Sequence, residues 1–436
     1  MSVSPFDSPM HRHLFGDAEV GRLFTDTAEV RAMMLVLGTL AKVQGEAGVI
    51  PQISGAFLHR SAMELQVDPD GLGGANGVVV PALVAAFRKA LDAPEHGQYL
   101  HWGATSQDIQ DTALMLRMRQ VLTLIEARLK GALARLADLA ESEAETPMAA
   151  RTYGQAAVPS SFGAQVASWG WPVLRVLERL EPLRAHALAV SLSGAAGTAS
   201  QLGEDPAALR AALAEALGLT DPGASWHADR SRVIELSQWL ESLCSCGGKI
   251  GTDIMIGARS DIGELRLDGA GGSSTMPQKQ NPVGPSVLVA LSRFAPAQAV
   301  ALTHPHTEAR DGAGWFTEWL ILPQLAMAAA RSAALMSGVL EALTPDRDAM
   351  AAKLEAANGT LHAEALSFAL AKGMGRPAAQ AALKELANEA AATGTFLPDL
   401  VAKAHPDVQM PDLANLGQAP IDARTFAKAA RAALLP

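Results

Sequence analysis

The segment at positions 272–282, which reads GSSTMPQKQNP, concentrates chemically active side chains in one short loop. Glycines at 271 and 272 let backbone N–H groups approach a ligand closely, and the two prolines restrict the path of the chain. Serine hydroxyls, amides and one lysine then converge on one point, which suits a carboxylate that takes on a second negative charge. The alternative is a flexible Gly/Ser linker, but linkers rarely continue into Met-Pro and Lys-x-Asn-Pro.

A second candidate site lies at 101–108, which reads HWGATSQD and precedes a long helical pattern. Thr105, Ser106 and Asp108 would gather hydroxyls and N–H groups at the N-terminus of that helix, where the helix dipole favours an anion. The same residues would also suit a capping box. The local sequence does not decide between an anion site and a cap.

Helical periodicity dominates the chain and defines the elements that must position these groups. From Thr112 to Ser142 there is no proline, and apolar residues recur at alternating spacings of three and four. Further long helical stretches are predicted at 161–191, 230–259, 283–302 and 315–343. Pro172 and Pro182 are expected to kink or break the first of these. Strand patterns are nearly absent, since the run GVVVP at 77–81 is short and ends at a proline.

Helices of this length must bury their apolar stripes against one another, so the sequence predicts an all-α fold with a central long-helix bundle. Shorter helices broken by loops precede and follow the bundle. We therefore expect three helical domains: an N-terminal domain at 1–111, the central bundle at 112–344 and a C-terminal domain at 345–436. The broad apolar stripes also predict association with further copies of the chain.

Composition limits the partners of this 436-residue chain. Its net charge is −10 at pH 7, which disfavours nucleic acid and acidic membrane surfaces because no basic stretch compensates for it. We expect a cytoplasmic protein with no membrane partner, since no signal peptide begins the sequence and no apolar run reaches the length of a membrane span. Cys244 and Cys246 predict neither a disulfide nor a zinc site. His304 and His306 lack further ligands, and we predict no metal and no organic cofactor.

The loop at 272–282 resembles the signature of the fumarase/aspartase superfamily, Gly-Ser-Ser-x-Met-Pro-x-Lys-x-Asn. All the fixed positions match, at Gly272, Ser273, Ser274, Met276, Pro277, Lys279 and Asn281. Members of this superfamily add or eliminate groups across a carbon–carbon double bond next to a carboxylate. The resemblance implies that Ser273 moves the proton at the carbon beside that carboxylate. It also implies that Ser274, Lys279 and Asn281 hold the substrate.

The resemblance extends to the segment at 101–108. The superfamily has a Thr-Ser-x-Asp segment here that binds a substrate carboxylate. The form His-x-Gly-x-Thr-Ser is similar to that of adenylosuccinate lyases and 3-carboxy-cis,cis-muconate cycloisomerases. It implies that His101, Thr105 and Ser106 contact the substrate. Without the resemblance, a core or capping role would be the better interpretation of His101.

The segment RTYGQ at 151–155 resembles the Arg-Thr-His-Gly-Gln of adenylosuccinate lyases, in which the histidine is the general acid. The resemblance implies that Arg151, Tyr153 and Gln155 bind substrate. An amine or alkoxide that leaves carbon needs a proton, whereas a carboxylate, with a pKa of about 4, leaves or attacks unprotonated. Tyr153 in place of the histidine therefore fits lactonisation of a muconate, unless Tyr153 is merely a packing aromatic.

The segment at 310–323 resembles the cycloisomerase pattern Arg-Ser-Leu-Gly-x-Trp-x-x-Glu-Trp-x-x-Leu-Pro. The resemblance implies that Arg310 clamps a substrate carboxylate, although a surface position is the more common fate of an arginine. Two positions inside the signature loop depart from the family. Gln278 and Gln280 stand where cycloisomerases usually have His and Arg, which leaves the exact substrate open.

These resemblances predict a homotetramer of the cycloisomerase branch, with active sites shared between subunits, that lactonises a polycarboxylate such as 3-carboxy-cis,cis-muconate. One alternative is a fumarate-releasing lyase of the same superfamily, similar to adenylosuccinate or argininosuccinate lyases. Tyr153 disfavours that alternative. Another alternative is a non-catalytic helical scaffold, which the intact Ser273, Lys279 and Asn281 disfavour.

Overall fold

The computed structural model describes residues 4–73, 77–269, 271–272, 275–276, 279–303 and 312–435. Within these residues the fold is all-α, as predicted, and strands occur only as short antiparallel pairs. Three predicted site residues, Ser273, Ser274 and Arg310, lie outside the described residues, as do Gln278 and the histidines at 304 and 306.

Short and medium helices precede the long bundle helices. They are α1 (Arg12–Phe15), α2 (Ala18–Leu23), α3 (Asp26–Glu46), α4 (Gln52–Glu64), α5 (Val80–Leu91) and α6 (Pro94–Gly97). Asp17 and Thr25 cap α2 and α3, because their side chains accept hydrogen bonds from backbone N–H groups of the first turn. Helices α3 and α4 pack closely, since a Cβ at Gly38 would lie only 2.4 Å from the Cβ of Ala62.

The middle of the chain forms the long helices that the periodicity predicts. The elements here are α7 (Ser106–Ser142), α8 (Phe162–Glu178), α9 (Leu180–Ala187), α10 (Pro206–Leu217), α11 (Ser231–Gly257), α12 (Val283–Leu302) and α13 (Gly312–Glu341). The predicted apolar stripe of α7 is buried from Met118 to Leu139. Pro172 lies inside α8 and does not end it. Helix α8 continues through Pro172 because the packing of buried neighbours such as Trp169 outweighs the loss of one N–H hydrogen bond. The break falls instead between α8 and α9, just before Pro182.

The C-terminal part consists of α14 (Arg347–Ala356), α15 (Ala363–Met374), α16 (Arg376–Thr393), α17 (Leu397–Ala404) and α18 (Ala419–Leu434). Short 3₁₀ segments occur at Ala195–Gly197 and Thr360–His362. Cys244 and Cys246 are both free thiols, in agreement with the prediction of no disulfide.

The strands pair two by two. They are β1 (Pro147–Thr152) with β2 (Gln155–Ser161), β3 (Leu265–Leu267) with β6 (Leu343–Pro345), and β4 (Gly271–Gly272) with β5 (Gln280–Asn281). The β1–β2 hairpin is not predicted from the sequence, because its strands are rich in alanine and poor in β-branched residues. The most strand-like run, at 77–81, instead leads into α5, where Pro81 occupies the first turn and its missing N–H costs no hydrogen bond.

The chain forms two compact units, each built from three segments. The first unit comprises Met1–Leu129, Val176–Gly248 and Val287–Leu335, and the second comprises Lys130–Arg175, Lys249–Ser286 and Met336–Pro436. In the first unit, residues of α3, α4, α5 and α10 form a core around Leu37 and Phe87. In the second, α15, α16 and α17 enclose Leu366 and Val401. The division into three domains at residues 111 and 344 stays a prediction.

Two helices of the described chain, α12 and α13, are long and apolar enough to cross a membrane by length and composition. The expectation that no apolar stretch reaches this length is therefore wrong for these helices. The buried share of the apolar window is 39% in α12 and 56% in α13. Packing of one helix face against other helices accounts for part of this apolar character.

Candidate active site

The predicted anion-binding turn lies at the start of α7, which begins at Ser106. The N–H of Thr105 donates a hydrogen bond of 2.9 Å to the carboxylate of Asp108. The capping interaction that the sequence left as an alternative is thus present. It shapes the turn that carries Thr105 and Ser106, at the end of the helix whose dipole favours an anion.

His101 lies in the segment that leads into this turn and has a left-handed backbone, with φ of 66°. Burial lowers the pKa of its imidazole, and a hydrogen bond to the backbone of Thr105 opposes this effect only in part. The ring is therefore neutral at pH 7. Its Nε2 is buried and makes no hydrogen bond within the described part of the chain. This nitrogen is available to a ligand that enters the turn.

The RTYGQ segment forms the tip of the β1–β2 hairpin. Thr152 pairs with Gln155 across the strands, so Tyr153 and Gly154 are the two turn residues. Both have positive φ, 52° and 74°, which is the geometry of a type I′ turn. A bulky residue is strained there, and such strain is frequent at functional sites.

The ring of Tyr153 is fully exposed. Tyr153 therefore packs against no hydrophobic core among the described residues, which disfavours the interpretation that it is merely a packing aromatic. His101 differs from Tyr153 in exposure, because most of the His101 ring is buried within its own unit.

Arg151 is held by a buried carboxylate. Its Nη2 donates a hydrogen bond of 2.6 Å to Oε1 of Glu264, and the glutamate side chain is only 2% exposed. This ion pair orients the guanidinium on β1 and uses one of its five N–H donors. The same side chain can thus be anchored by Glu264 and still bind a substrate carboxylate through its other donors.

The signature loop is closed at its base by the β4–β5 pair, in which Gly271 lies opposite Asn281. Inside the loop, the N–H of Lys279 donates to the carbonyl of Met276 at 2.9 Å. Lys279 is exposed and Asn281 is half-buried. Helix α12 begins immediately after the loop, so the lysine and asparagine lie just before a helix N-terminus.

A buried ion cluster supports the start of α13. Arg230 contacts Asp111 at 2.8 Å and both carboxylate oxygens of Glu318, at 2.6 and 2.7 Å. The indole N–H of Trp315 donates to the same Asp111 at 3.1 Å. These carboxylates raise the pKa of Arg230 against the opposing effect of burial. Trp315 and Glu318 of the cycloisomerase-like pattern are therefore buried structural residues that join α13 to α7.

The predicted site residues are divided between the two units. His101, Thr105 and Ser106 belong to the first unit, and Arg151, Tyr153, Gln155, Lys279 and Asn281 belong to the second. Among the residues that the structure describes, no group of three His, Cys, Asp or Glu side chains is arranged to hold a metal ion.

The partners of Asp108 are not predicted from the sequence. His227 donates to this carboxylate at 2.7 Å, and the N–H of Ser193 does so at 2.9 Å. Neither residue lies in a segment that resembles a site motif. The only local signal was the run SGAAGTAS at 193–200, whose glycines allow unusual backbone conformations.

Known proteins resemble the chain over most of its length. A family model described as lyase matches residues 41–294. The 3-carboxy-cis,cis-muconate cycloisomerase of Pseudomonas aeruginosa is 35% identical over 375 residues, which cover 84% of this chain and 82% of that protein. The nitrosuccinate lyase of Streptomyces davaonensis is 33% identical over 399 residues, which cover 87% of this chain and 84% of that protein.

Solved structures show the same likeness. The crystal structure of 3-carboxy-cis,cis-muconate lactonizing enzyme from Pseudomonas putida matches with a TM-score of 0.90 and 29% sequence identity. The match covers 98% of this chain and 100% of that one. The likeness therefore includes both units and is not limited to the signature loop.

Proposed function

Because the chain belongs to the lyase family of the fumarase/aspartase superfamily, we propose that it converts 3-carboxy-cis,cis-muconate to a carboxymuconolactone. The observation that carries this proposal is the 35% identity, over 84% of the chain, to a cycloisomerase of that name. The TM-score of 0.90 to a lactonizing enzyme supports the same activity. The reaction is an intramolecular addition of one substrate carboxylate to a double bond, as in bacterial breakdown of protocatechuate.

The residues of the signature loop suit this addition. When a carboxylate attacks the double bond, negative charge moves into a second carboxylate, which becomes a dianionic aci-carboxylate. The ammonium of Lys279, the amide of Asn281 and loop N–H groups would stabilise that charge. Ser273 would deliver the proton to carbon, and in the reverse reaction would remove it. To transfer this proton, the hydroxyl of Ser273 needs a pKa below that of a free serine. The positive charge of Lys279 and the loop N–H groups would lower it.

The residues around the loop would then bind the remaining carboxylates. The turn at Thr105 and Ser106 offers a helix N-terminus, and Arg151 and Arg310 offer guanidinium groups. Tyr153 need not donate a proton, because the group that attacks or leaves is a carboxylate. No metal and no organic cofactor enters this reaction.

We also propose that the active enzyme is a cytoplasmic homotetramer whose active sites combine segments from different subunits. The strained, fully exposed Tyr153 supports this, since a substrate-binding side chain needs surroundings that its own chain does not supply there. Exposed apolar side chains on the bundle helices, such as Val300 on α12 and Leu320 on α13, also suit burial against further copies.

An ultraviolet assay tests the proposed function directly. Purified protein mixed with 3-carboxy-cis,cis-muconate should remove the absorbance of the conjugated diene, and Ser273→Ala should not. Fumarate released from a succinyl compound, without loss of the muconate, would instead support a lyase. The absence of activity in both assays would favour the alternative of a non-catalytic helical scaffold.

A fumarate-releasing lyase remains the second candidate because a nitrosuccinate lyase is 33% identical to this chain. Gln278 also matches the choice seen in argininosuccinate lyases. The histidine that serves as general acid in adenylosuccinate lyases is absent, however, and Tyr153 would have to replace it. This comparison favours the cycloisomerase over a lyase that expels an amine or an alkoxide.

A further inference from the structure

The carboxylate of Asp108 is fully buried and joins separate segments of the first unit. Its Oδ2 accepts hydrogen bonds from the N–H of Thr105 at 2.9 Å and the N–H of Gly194 at 3.0 Å. Its Oδ1 accepts one from the N–H of Ser193 at 2.9 Å. The substrate-binding turn and the loop at 193–194 are therefore both hydrogen-bonded to Asp108. The position of this carboxylate sets the positions of both segments.

His227 donates to the same carboxylate. Its Nε2 lies 2.7 Å from Oδ1 of Asp108 and its side chain is 2% exposed. Since a carboxylate only accepts hydrogen bonds, this nitrogen carries the hydrogen. The backbone around His227 is held in turn, because Trp226 donates to the carbonyl of Val190 and Gln107 donates to the carbonyl of His227 itself. The imidazole thus acts as a fixed donor.

The two segments that meet at Asp108 are both strained. His101, Ala196 and Ala199 have φ of 66°, 51° and 53°, in the left-handed region that side chains disfavour. Gly103 is also left-handed, and a Cβ there would lie 2.4 Å from the carbonyl oxygen of Gln201. Segments held in such conformations relax when the hydrogen bonds that hold them are lost.

We propose that His227 is a positioning residue for the substrate-binding turn and acts through Asp108. By donating to Oδ1, it fixes the carboxylate, and the carboxylate fixes the turn of Thr105 and Ser106 and the loop at 193–194. His227 transfers no proton and needs no contact with substrate. The proposal depends on the proposed function only for the identity of the anion that the turn binds.

Paired substitutions separate this role from simple packing. His227→Phe keeps a planar ring but removes the donor, and His227→Gln places an amide N–H near the position of Nε2. We expect His227→Phe to lower kcat/KM by about 10²-fold, mainly through a higher KM, because misplacing binding groups by about 1 Å has effects of that order. His227→Gln should stay within about threefold of the wild type, since it keeps the hydrogen bond.

A matched control is available in the same unit. His186 also bonds a carboxylate, that of Glu235 at 2.6 Å, but both side chains are exposed. His186→Phe should leave kcat and KM unchanged. If His227→Gln loses as much activity as His227→Phe, the role of His227 is packing and the proposal is wrong.

Hydrogen–deuterium exchange tests the proposal without any substrate, so it remains informative if the proposed function fails. Peptides covering 101–106 and 193–199 should exchange faster in His227→Phe than in the wild type, and at the wild-type rate in His227→Gln and His186→Phe. If His227→Phe does not fold, His227→Leu removes the same donor with a smaller apolar side chain and provides the same test. Wild-type exchange in whichever variant folds would overturn the proposal.

Discussion

The turn before α7 and the tip of the β1–β2 hairpin both carry predicted substrate-binding residues, but they are supported in opposite ways. The turn is held from within, because buried Asp108 accepts hydrogen bonds from Thr105 and His227. The hairpin tip presents Tyr153 fully exposed in a strained type I′ turn. Arg151, one position before Thr152, is anchored by buried Glu264.

Under the proposed function, one part of the site is preorganised by its own chain and the other would need a partner subunit. A buried hydrogen-bond network fixes geometry before the substrate arrives. In the proposed tetramer, the exposed and strained Tyr153 would gain its surroundings only on assembly. Substitutions at the two regions should therefore fail differently, the first in stability and affinity, the second in assembly-dependent function.

The largest effect is expected at the signature loop, which both regions would serve. Ser273→Ala should lower kcat by about 10⁴-fold, the upper range for loss of a proton-transfer group, while KM and thermal stability stay close to wild type. Ser286→Ala, whose hydroxyl bonds the backbone of Pro282 nearby, is the control and should remain active. Turnover that survives in Ser273→Ala would remove the centre of the proposed mechanism.

The next largest effect is expected in the first unit, at the buried ion cluster of Arg230, Asp111 and Glu318. Arg230→Leu leaves Asp111 and Glu318 buried without their cation, which should cost about 3–5 kcal/mol of unfolding free energy. Arg232→Leu, two positions later and less buried at the start of α11, should cost no more than about 0.5 kcal/mol. Chemical denaturation of both variants measures the difference. Equal stabilities would show that the buried cluster does not stabilise the packing of α13 on α7.

Hybrid tetramers test whether the two regions act across subunits. Ser273→Ala and the double variant Thr105→Ala/Ser106→Ala should each be inactive alone. If sites combine segments of different subunits, mixing the two after mild dissociation should restore a measurable part of wild-type activity. Each variant taken alone through the same dissociation and mixing provides the baseline activity. A fully active monomer by light scattering would contradict the shared-site proposal.

The smallest effect is expected at the exposed tip. Tyr153→Phe should lower kcat on the muconate by less than about tenfold, or roughly 1.4 kcal/mol of barrier, because no leaving group needs a proton. On a succinyl amine the same change should cost about 10²-fold or more, since the tyrosine would then be the general acid. Comparison of kcat between wild type and Tyr153→Phe on both substrates decides whether Tyr153 acts as a general acid. A large loss on the muconate would mean that the explanation for the missing histidine is wrong.

Much of the fold is predictable from local sequence. The stripe from Met118 to Leu139 predicts α7, and the structure buries it as expected. The all-α class and the long helices follow from the same periodicity, because a repeat near 3.6 residues is visible within any single segment. Membership in the superfamily was likewise predictable, from seven matching positions in one loop.

The rest depends on contacts between residues far apart in the chain. Sequence alone determined the helices, the signature loop and the residue types that suit carboxylate chemistry. Only the tertiary structure decided that His227 meets Asp108 across 119 positions, and that Glu264 anchors Arg151 across 113. It also decided that an alanine-rich segment forms a hairpin with Tyr153 at its exposed tip. Such pairings leave no periodic signal, because they arise when the packed helices bring buried polar groups together and each group must find a partner.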